Sequence, residues 1–387
     1  MSRKILHLDL DAFFCAVEEQ HDPSLRRKPF AVGGRPQARG VVSSCSYAAR
    51  QFGVRSAMPM AKAFRLCPQL IIVPPRHDVY YQVSRQVMEI LHNWTPLVEQ
   101  VSVDEAFLDL SDLPDSPEAL ARRLQGNINK QLGLPCSIGA ATNKLVAKIA
   151  TEVGKGAVHT GDYPNAIQVV PPGEEAAFLA PLPTEMLWGV GPKTAARLAE
   201  LGIKTIGEIA RWPEADLVRR FGQNGELLAR RARGIDNRPV VTEHAAKSIS
   251  QEITFARDVR DGESLRQTLR GLTKEVGYRL RRAELSGATV RLKLRWPDFT
   301  TITRQATLPQ PTDQDGEIYA AALQLFDKVW PVGRPVRLIG VGVSELQPTC
   351  RQLSLWDTDA ERERRLLTTL DTLRERFGDR AVQRGRK

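Results

Sequence analysis

The chain has 387 residues, 42% of them hydrophobic, and a net charge of +10. That length suits two or three separately cored domains, and the basic excess calls for a polyanionic partner, nucleic acid or an anionic membrane surface. Five cysteines without a Cys-x-x-Cys pair and six scattered histidines argue against a disulfide framework or a zinc site, and the absence of a long uncharged apolar run argues against a signal peptide or a membrane-spanning helix.

The charge is uneven. Residues 1–200 carry 21 Lys+Arg against 20 Asp+Glu, and residues 201–387 carry 34 against 25. The basic excess therefore lies in the second half, and the acids of interest lie in the near-neutral first half.

In chain order, residues 4–10 alternate as a strand with Leu6, Leu8 and Leu10 on one face, and a helix starts at Phe13. Strands near 29–34 and 41–44 precede helical pieces near 46–52 and 59–66. A longer helix spans 76–93. Residues 98–110 read as two β runs meeting at Val103-Asp104-Glu105, a hairpin. A helix near 117–132, a strand near 136–141 and a helix near 143–153 complete an α/β unit. Residues 171–183 are Pro-rich and read as a connector, 184–234 as helical, and 235–248 as a second linker. Strands at 249–255, 288–296 and 336–344, with helices at 263–283 and 314–329, make an α+β module. A charged tail follows, with an amphipathic helix through Leu366, Leu370, Leu373 and Phe377.

Asp9 lies in an apolar strand, and Asp104 and Glu105 lie between Val103 and Ala106-Phe107. Charges in such settings call for a partner cation. Neighbours in a strand point to opposite faces, so Asp104 and Glu105 converge only near a turn. Carboxylates gathered this way suit two divalent ions that clamp the attacking and leaving oxygens of a phosphoryl transfer. From composition alone, solvated acids at strand ends fit equally well.

Four runs carry a resemblance. His7-Leu8-Asp9-Leu10-Asp11-Ala12-Phe13-Phe14-Cys15-Ala16-Val17-Glu18 resembles the first motif of the Y-family DNA polymerases, in particular the bacterial DNA polymerase IV branch. Ser46-Tyr47-Ala48-Ala49-Arg50 through Pro59 is similar to the family's finger motif, and Ser102 through Asp109 to its third motif. Thr142-Asn143-Lys144-Leu145-Val146-Ala147-Lys148-Ile149-Ala150 is similar to the one after it. The resemblance implies a right-hand polymerase of α/β and α+β domains. The palm would be 1–10 and 76–170, the fingers 11–75, the helical thumb 171–235, and a C-terminal α+β little finger 248–346. It implies a template-directed, low-fidelity translesion enzyme without proofreading, in which Asp9, Asp104 and Glu105 hold two Mg²⁺ (or Mn²⁺). Tyr47, Arg50 and Lys148 would hold the triphosphate of the incoming deoxynucleotide. Phe14 stands at the steric gate against a ribose 2′-hydroxyl, and Ala57 and Met58 leave an open site over the nascent pair. Two departures stand out: Cys45-Ser46 replaces a small residue followed by Asn, and Lys155-Gly156-Ala157-Val158 replaces Lys-Pro-x-Gly.

Leu187-Trp188-Gly189-Val190-Gly191-Pro192-Lys193 reads as a helix-hairpin-helix whose backbone N–H groups can meet a DNA phosphate, with Lys193 adding charge. An ordinary turn between two helices is the bland alternative. Arg291, Lys293 and Arg295 alternate along one strand and present a basic row for sequence-independent, salt-sensitive phosphate contact. Gln352-Leu353-Ser354-Leu355-Trp356 resembles the peptide by which bacterial polymerases dock on the sliding clamp. The partners expected are primer-template DNA, deoxynucleoside triphosphates and the clamp, for a cytoplasmic monomer. Competing readings are a nucleotide cyclase, a non-catalytic polymerase-like accessory protein, and a structural DNA-binding protein; the last would leave the three acids unexplained.

Overall fold

All six residues of β1 (Ile5–Leu10), His7 and Asp9 included, are buried, because the strand lies in the middle of its sheet with a strand paired on either side. Leu6, Leu8 and Leu10 enter one core and Ile5 enters another, as strand alternation requires. The computed structural model describes residues 2–158, 161–243, 245–349 and 358–378 and divides into two compact units, Met1–His244 and Ala245–Lys387.

In the first unit β1 leads into α1 (Phe13–His21) through Ala12, which sits in the left-handed region at φ 44°. Next come β2 (Phe30–Gly33), β3 (Val42–Cys45), α2 (Tyr47–Gln51), α3 (Met60–Leu66) and β4 (Ile71–Val73). These make a small sheet ordered β3-β2-β4 with its own core around Met60, Cys45 and Val54. The departure at Ser46 has a local use: its hydroxyl caps α2 by accepting from Ala49 N–H at 3.2 Å.

The chain then returns through α4 (His77–His92), β5 (Val98–Gln100), β6 (Glu105–Asp109), α5 (Pro117–Leu132), β7 (Cys136–Ala141), α6 (Lys144–Ala157) and β8 (Ile167–Val169). The central sheet runs β5-β6-β1-β7-β8, antiparallel except for β7–β8, which α6 connects as a crossover. Gly139 lets α6 lie close against this sheet: a Cβ there would fall 2.0 Å from the Ala147 carbonyl oxygen. With glycine in place of the family's proline after Lys155, α6 continues to Ala157, past the expected end near 153.

Four short helices follow α7 (Glu175–Leu179): α8 (Pro192–Glu200), α9 (Ile206–Arg211), α10 (Glu214–Phe221) and α11 (Gln223–Ala232). The helix α7 was not expected inside the Pro-rich connector. The segment 234–241 has no regular structure but is strapped to α6. Asn143 Nδ2 donates to the Gly234 carbonyl at 2.9 Å, and Asp236 accepts from Leu145 N–H at 3.1 Å.

The second unit holds β9 (Ser248–Val259), α12 (Gly262–Arg282), β10 (Leu285–Arg295), β11 (Thr301–Thr312), α13 (Asp315–Val329), β12 (Val336–Pro348) and α14 (Thr358–Phe377). Its antiparallel sheet runs β11-β10-β12-β9, and α12 and α13 share one core with it. The long strand β11 was unforeseen. Its prolines, Pro309 and Pro311, are tolerated because it is an edge strand. Leu367 and Leu370 of α14 are buried, and Asp371 of α14 accepts from Arg281 Nε at 2.7 Å.

Candidate active site

The strands β1 and β6 pair so that Asp9 stands opposite Glu105, and Leu10 N–H donates to the Asp104 carbonyl at 2.9 Å. That register brings all three expected acids to the same end of two adjacent strands. Ser102 shapes the turn before β6. Its hydroxyl donates to Asp104 Oδ1 at 2.5 Å and accepts from Glu105 N–H at 3.0 Å. The β5–β6 connection is therefore the hairpin read from the sequence.

Each of two acids meets an ammonium. Lys155 Nζ lies 2.6 Å from Asp9 Oδ1, and Lys148 Nζ lies 2.7 Å from Glu105 Oε2. His7 is fully buried behind them. Its Nδ1 contacts Thr151 Oγ1 at 2.9 Å, and its Nε2 lies 3.8 Å from Glu105 Oε2. Burial pushes the Asp9 carboxyl up to about 7 although Lys155 opposes it. Burial acts the same way on Glu105, but His7 and Lys148 outweigh it and hold that carboxyl down at about 2. Asp11 is fully buried and accepts twice from Ser137 Oγ, at 2.9 and 3.0 Å, and once from Asn165 N–H at 3.0 Å. That satisfied set makes it a tie between β1 and β7.

The Arg50 guanidinium lies over the Tyr47 ring at 4.3 Å. The Tyr47 hydroxyl is pushed up to about 12 by burial, and it feels Asp11, Arg50, Lys155 and Asp9. Tyr47 therefore lies within electrostatic reach of Arg50 and Lys155, whereas Lys148 lies on Glu105. Sequence reasoning passed over Lys155 because it fell in the divergent stretch. The available signal was helical spacing: Lys144, Lys148 and Lys155 form one stripe along α6. They reach Glu99 on β5, Glu105 on β6 and Asp9 on β1, three neighbouring strands in order.

Phe14 stacks on Tyr80 with ring centroids 4.1 Å apart. The Tyr80 hydroxyl donates to Glu18 at 2.5 Å, and Arg76 grips the same carboxylate at 2.7 Å. Ala57 adopts φ 64° in the turn before Pro59.

Gly189 has φ 99°, in the left-handed region that favours glycine. Gly191 caps α8, and Lys193 is exposed in its first turn. In the second unit, Val290, Leu292 and Leu294 are buried while Arg291, Lys293 and Arg295 face away from the core. Lys293 pairs with Glu252 at 2.7 Å, and Arg295 Nε donates to Thr301 at 2.9 Å. Gln352, Leu353, Leu355 and Trp356 lie outside the described residues.

The central sheet thus brings three carboxylates to one end, and α6 sets a lysine on two of them. The sequence matches the impB/mucB/samB family over residues 8–152, the helix-hairpin-helix motif of that family over 172–203, and its C-terminal domain over 246–355. It is 43% identical over 386 residues to the DNA polymerase IV of Desulfatibacillum aliphaticivorans, covering 98% of this chain and 95% of that protein. It is likewise 43% identical to the DNA polymerase IV of Halorhodospira halophila, covering 92% and 98%. Among solved structures, a Dbh-Dpo4 chimera of the Y-family DNA polymerases superposes with TM-score 0.77 at 25% identity, over 88% of this chain and 98% of that one. An insertion ternary complex of Dbh DNA polymerase gives 0.63 at 26%, with the same coverage.

The chain belongs to the impB/mucB/samB family, that of the Y-family DNA polymerases. It is a DNA-directed DNA polymerase of the translesion kind, and family membership implies dependence on a divalent metal. No helix among the described residues is long and apolar enough to cross a membrane.

Proposed function

We propose that the chain extends a primer 3′-end on a DNA template with deoxynucleoside triphosphates, using two Mg²⁺ held by Asp9, Asp104 and Glu105. The observation that carries this is the β1–β6 register, which sets Asp9 against Glu105 with Asp104 adjoining. The donor set fits a hard cation. It is all carboxylate, and an ammonium already sits 2.6 Å from buried Asp9, so the pocket accepts a positive centre at that oxygen. Among the described residues no three acid, histidine or cysteine side chains converge on one point, and Asp9 and Glu105 each face a lysine. Bound there, such ions supply charge neutralisation for the attacking and leaving oxygens.

The chain's own groups do the rest. Tyr47, Arg50 and Lys155 receive the triphosphate, Arg50 and Lys155 as cations and Tyr47 as a hydroxyl donor. Phe14, held flat on Tyr80, closes the sugar pocket against a 2′-hydroxyl. Gly189, Gly191 and Lys193 meet backbone phosphates, as do Arg291, Lys293 and Arg295, without base readout. Gln352, Leu353, Leu355 and Trp356 dock the sliding clamp. No second acidic site for a 3′–5′ exonuclease is expected, and the enzyme works as a cytoplasmic monomer.

Primer extension with Mg²⁺ tests the core of this. Asp104→Ala should lose at least about 10³-fold in rate, several kcal/mol of barrier, while DNA binding persists. Extension by Asp104→Ala at the wild-type rate would remove the metal assignment.

A further inference from the structure

We infer that Lys148 is a positioning residue that competes with a divalent cation for Glu105 and so sets how readily the active site takes up metal. The inference rests on the reading of Glu105 as a metal ligand.

The three lysines of the α6 stripe are not equivalent. Lys144 is buried against Glu99, whose carboxylate also accepts from Val241 N–H at 2.8 Å, so that pair fastens the 234–241 segment. Lys155 is shared among Asp9 at 2.6 Å, Glu152 at 3.7 Å and Asp11 at 4.0 Å. Among the described residues Lys148 has one acid partner, Glu105, at 2.7 Å.

The wall behind that pair is closely packed. The His7 ring is fully buried, tilted against Phe107 at 4.7 Å, and tied to Thr151. Its Nε2 and the Lys148 ammonium both face the same oxygen, Oε2. Among the described residues His7 Nε2 has no hydrogen-bond partner. The charge of Glu105 is thus drawn toward α6. A divalent ion on the same carboxylate would stand a few ångströms from the ammonium, and the two positive centres repel. Either the ammonium leaves or the metal binds more weakly. Lys148 lies in the second turn of α6, beside Ala147, whose carbonyl packs over Gly139 of β7, and this close packing keeps it within reach of Glu105.

The test is Mn²⁺ binding to the full-length protein without DNA, read from the electron paramagnetic resonance signal of free Mn²⁺. The proteins compared are wild type, Lys148→Met, Lys148→Gln, Lys148→Arg, Glu105→Gln and the double variant Lys148→Met/Glu105→Gln, each checked by circular dichroism. The expectation is that Lys148→Met and Lys148→Gln bind Mn²⁺ roughly tenfold more tightly than wild type, that Lys148→Arg binds like wild type, and that the gain vanishes in the Glu105→Gln background. Should Lys148→Met not fold, Lys148→Gln, which keeps a polar end, carries the measurement. Unchanged or weaker binding in a folded Lys148 variant overturns the inference. So does an equal gain in the Glu105→Gln background, which would reflect net charge alone. If Glu105→Gln binds Mn²⁺ as well as wild type, it is the metal-ligand reading that fails.

Discussion

Phe14 owes its attitude to a short chain of contacts: the Tyr80 ring beneath it, the Glu18 carboxylate on the Tyr80 hydroxyl, and Arg76 closing on Glu18. Glu18 is buried, and its charge is acceptable only because Arg76 and Tyr80 satisfy it. Removing the ring while leaving this support intact isolates the gate. Phe14→Val should raise ribonucleotide incorporation relative to deoxynucleotide on the order of a hundredfold, with deoxynucleotide extension retained. Single-nucleotide extension with each substrate checks this, and an unchanged ratio would make Phe14 a core aromatic only.

Among the elements, the strap 234–241 shows how a segment without regular structure is held. Asp236 accepts from Leu145 N–H and, bidentately, from Arg238 at 2.7 and 2.8 Å, and the Arg238 guanidinium lies over the Trp188 ring at 4.4 Å. Burial alone would raise the Asp236 carboxyl, but the Arg238 and backbone donors prevail and hold it below its ordinary value. A carboxyl lowered in the attached state binds fewer protons there than when the strap is loose. Attachment is therefore fully stabilised above the ordinary carboxylate value, about 4, and weakens as pH falls through and below it. Trp188 fluorescence should show this acid step in wild type. Asp236→Asn should lack it and lose about 1–2 kcal/mol of stability at neutral pH. An identical acid titration in the two proteins would assign the step elsewhere.

At the scale of the whole molecule, the basic excess makes nucleic-acid binding depend on salt. Arg291, Lys293 and Arg295 form the clearest row, but Lys293 is already paired with Glu252. Replacing all three with Gln should therefore lower the slope of log affinity against log salt by about 2 rather than about 3. Fluorescence anisotropy of a primed duplex across a salt series measures it. A slope equal to that of wild type would place the DNA contacts on other residues.

The sequence by itself determined the elements whose pattern is local: the β1 alternation, the helices 117–132 and 263–283, and the hairpin that carries Asp104 and Glu105. It also determined the family, because four ordered motifs leave little freedom. It did not reveal β8, which is only three residues long, or β11, whose Pro309 and Pro311 argue against a strand until its place at the sheet edge is known. Nor did it reveal α7, which a Pro-rich surrounding disguised. At the site, the acids were legible as charges in apolar strands. Their partners were not, because the pairing of Lys148 with Glu105 and of Lys155 with Asp9 spans 43 and 146 residues and exists only where α6 crosses the sheet. Chain order names the groups that carry charge; the packing of α6 on β1 and β7 decides which charge each one meets.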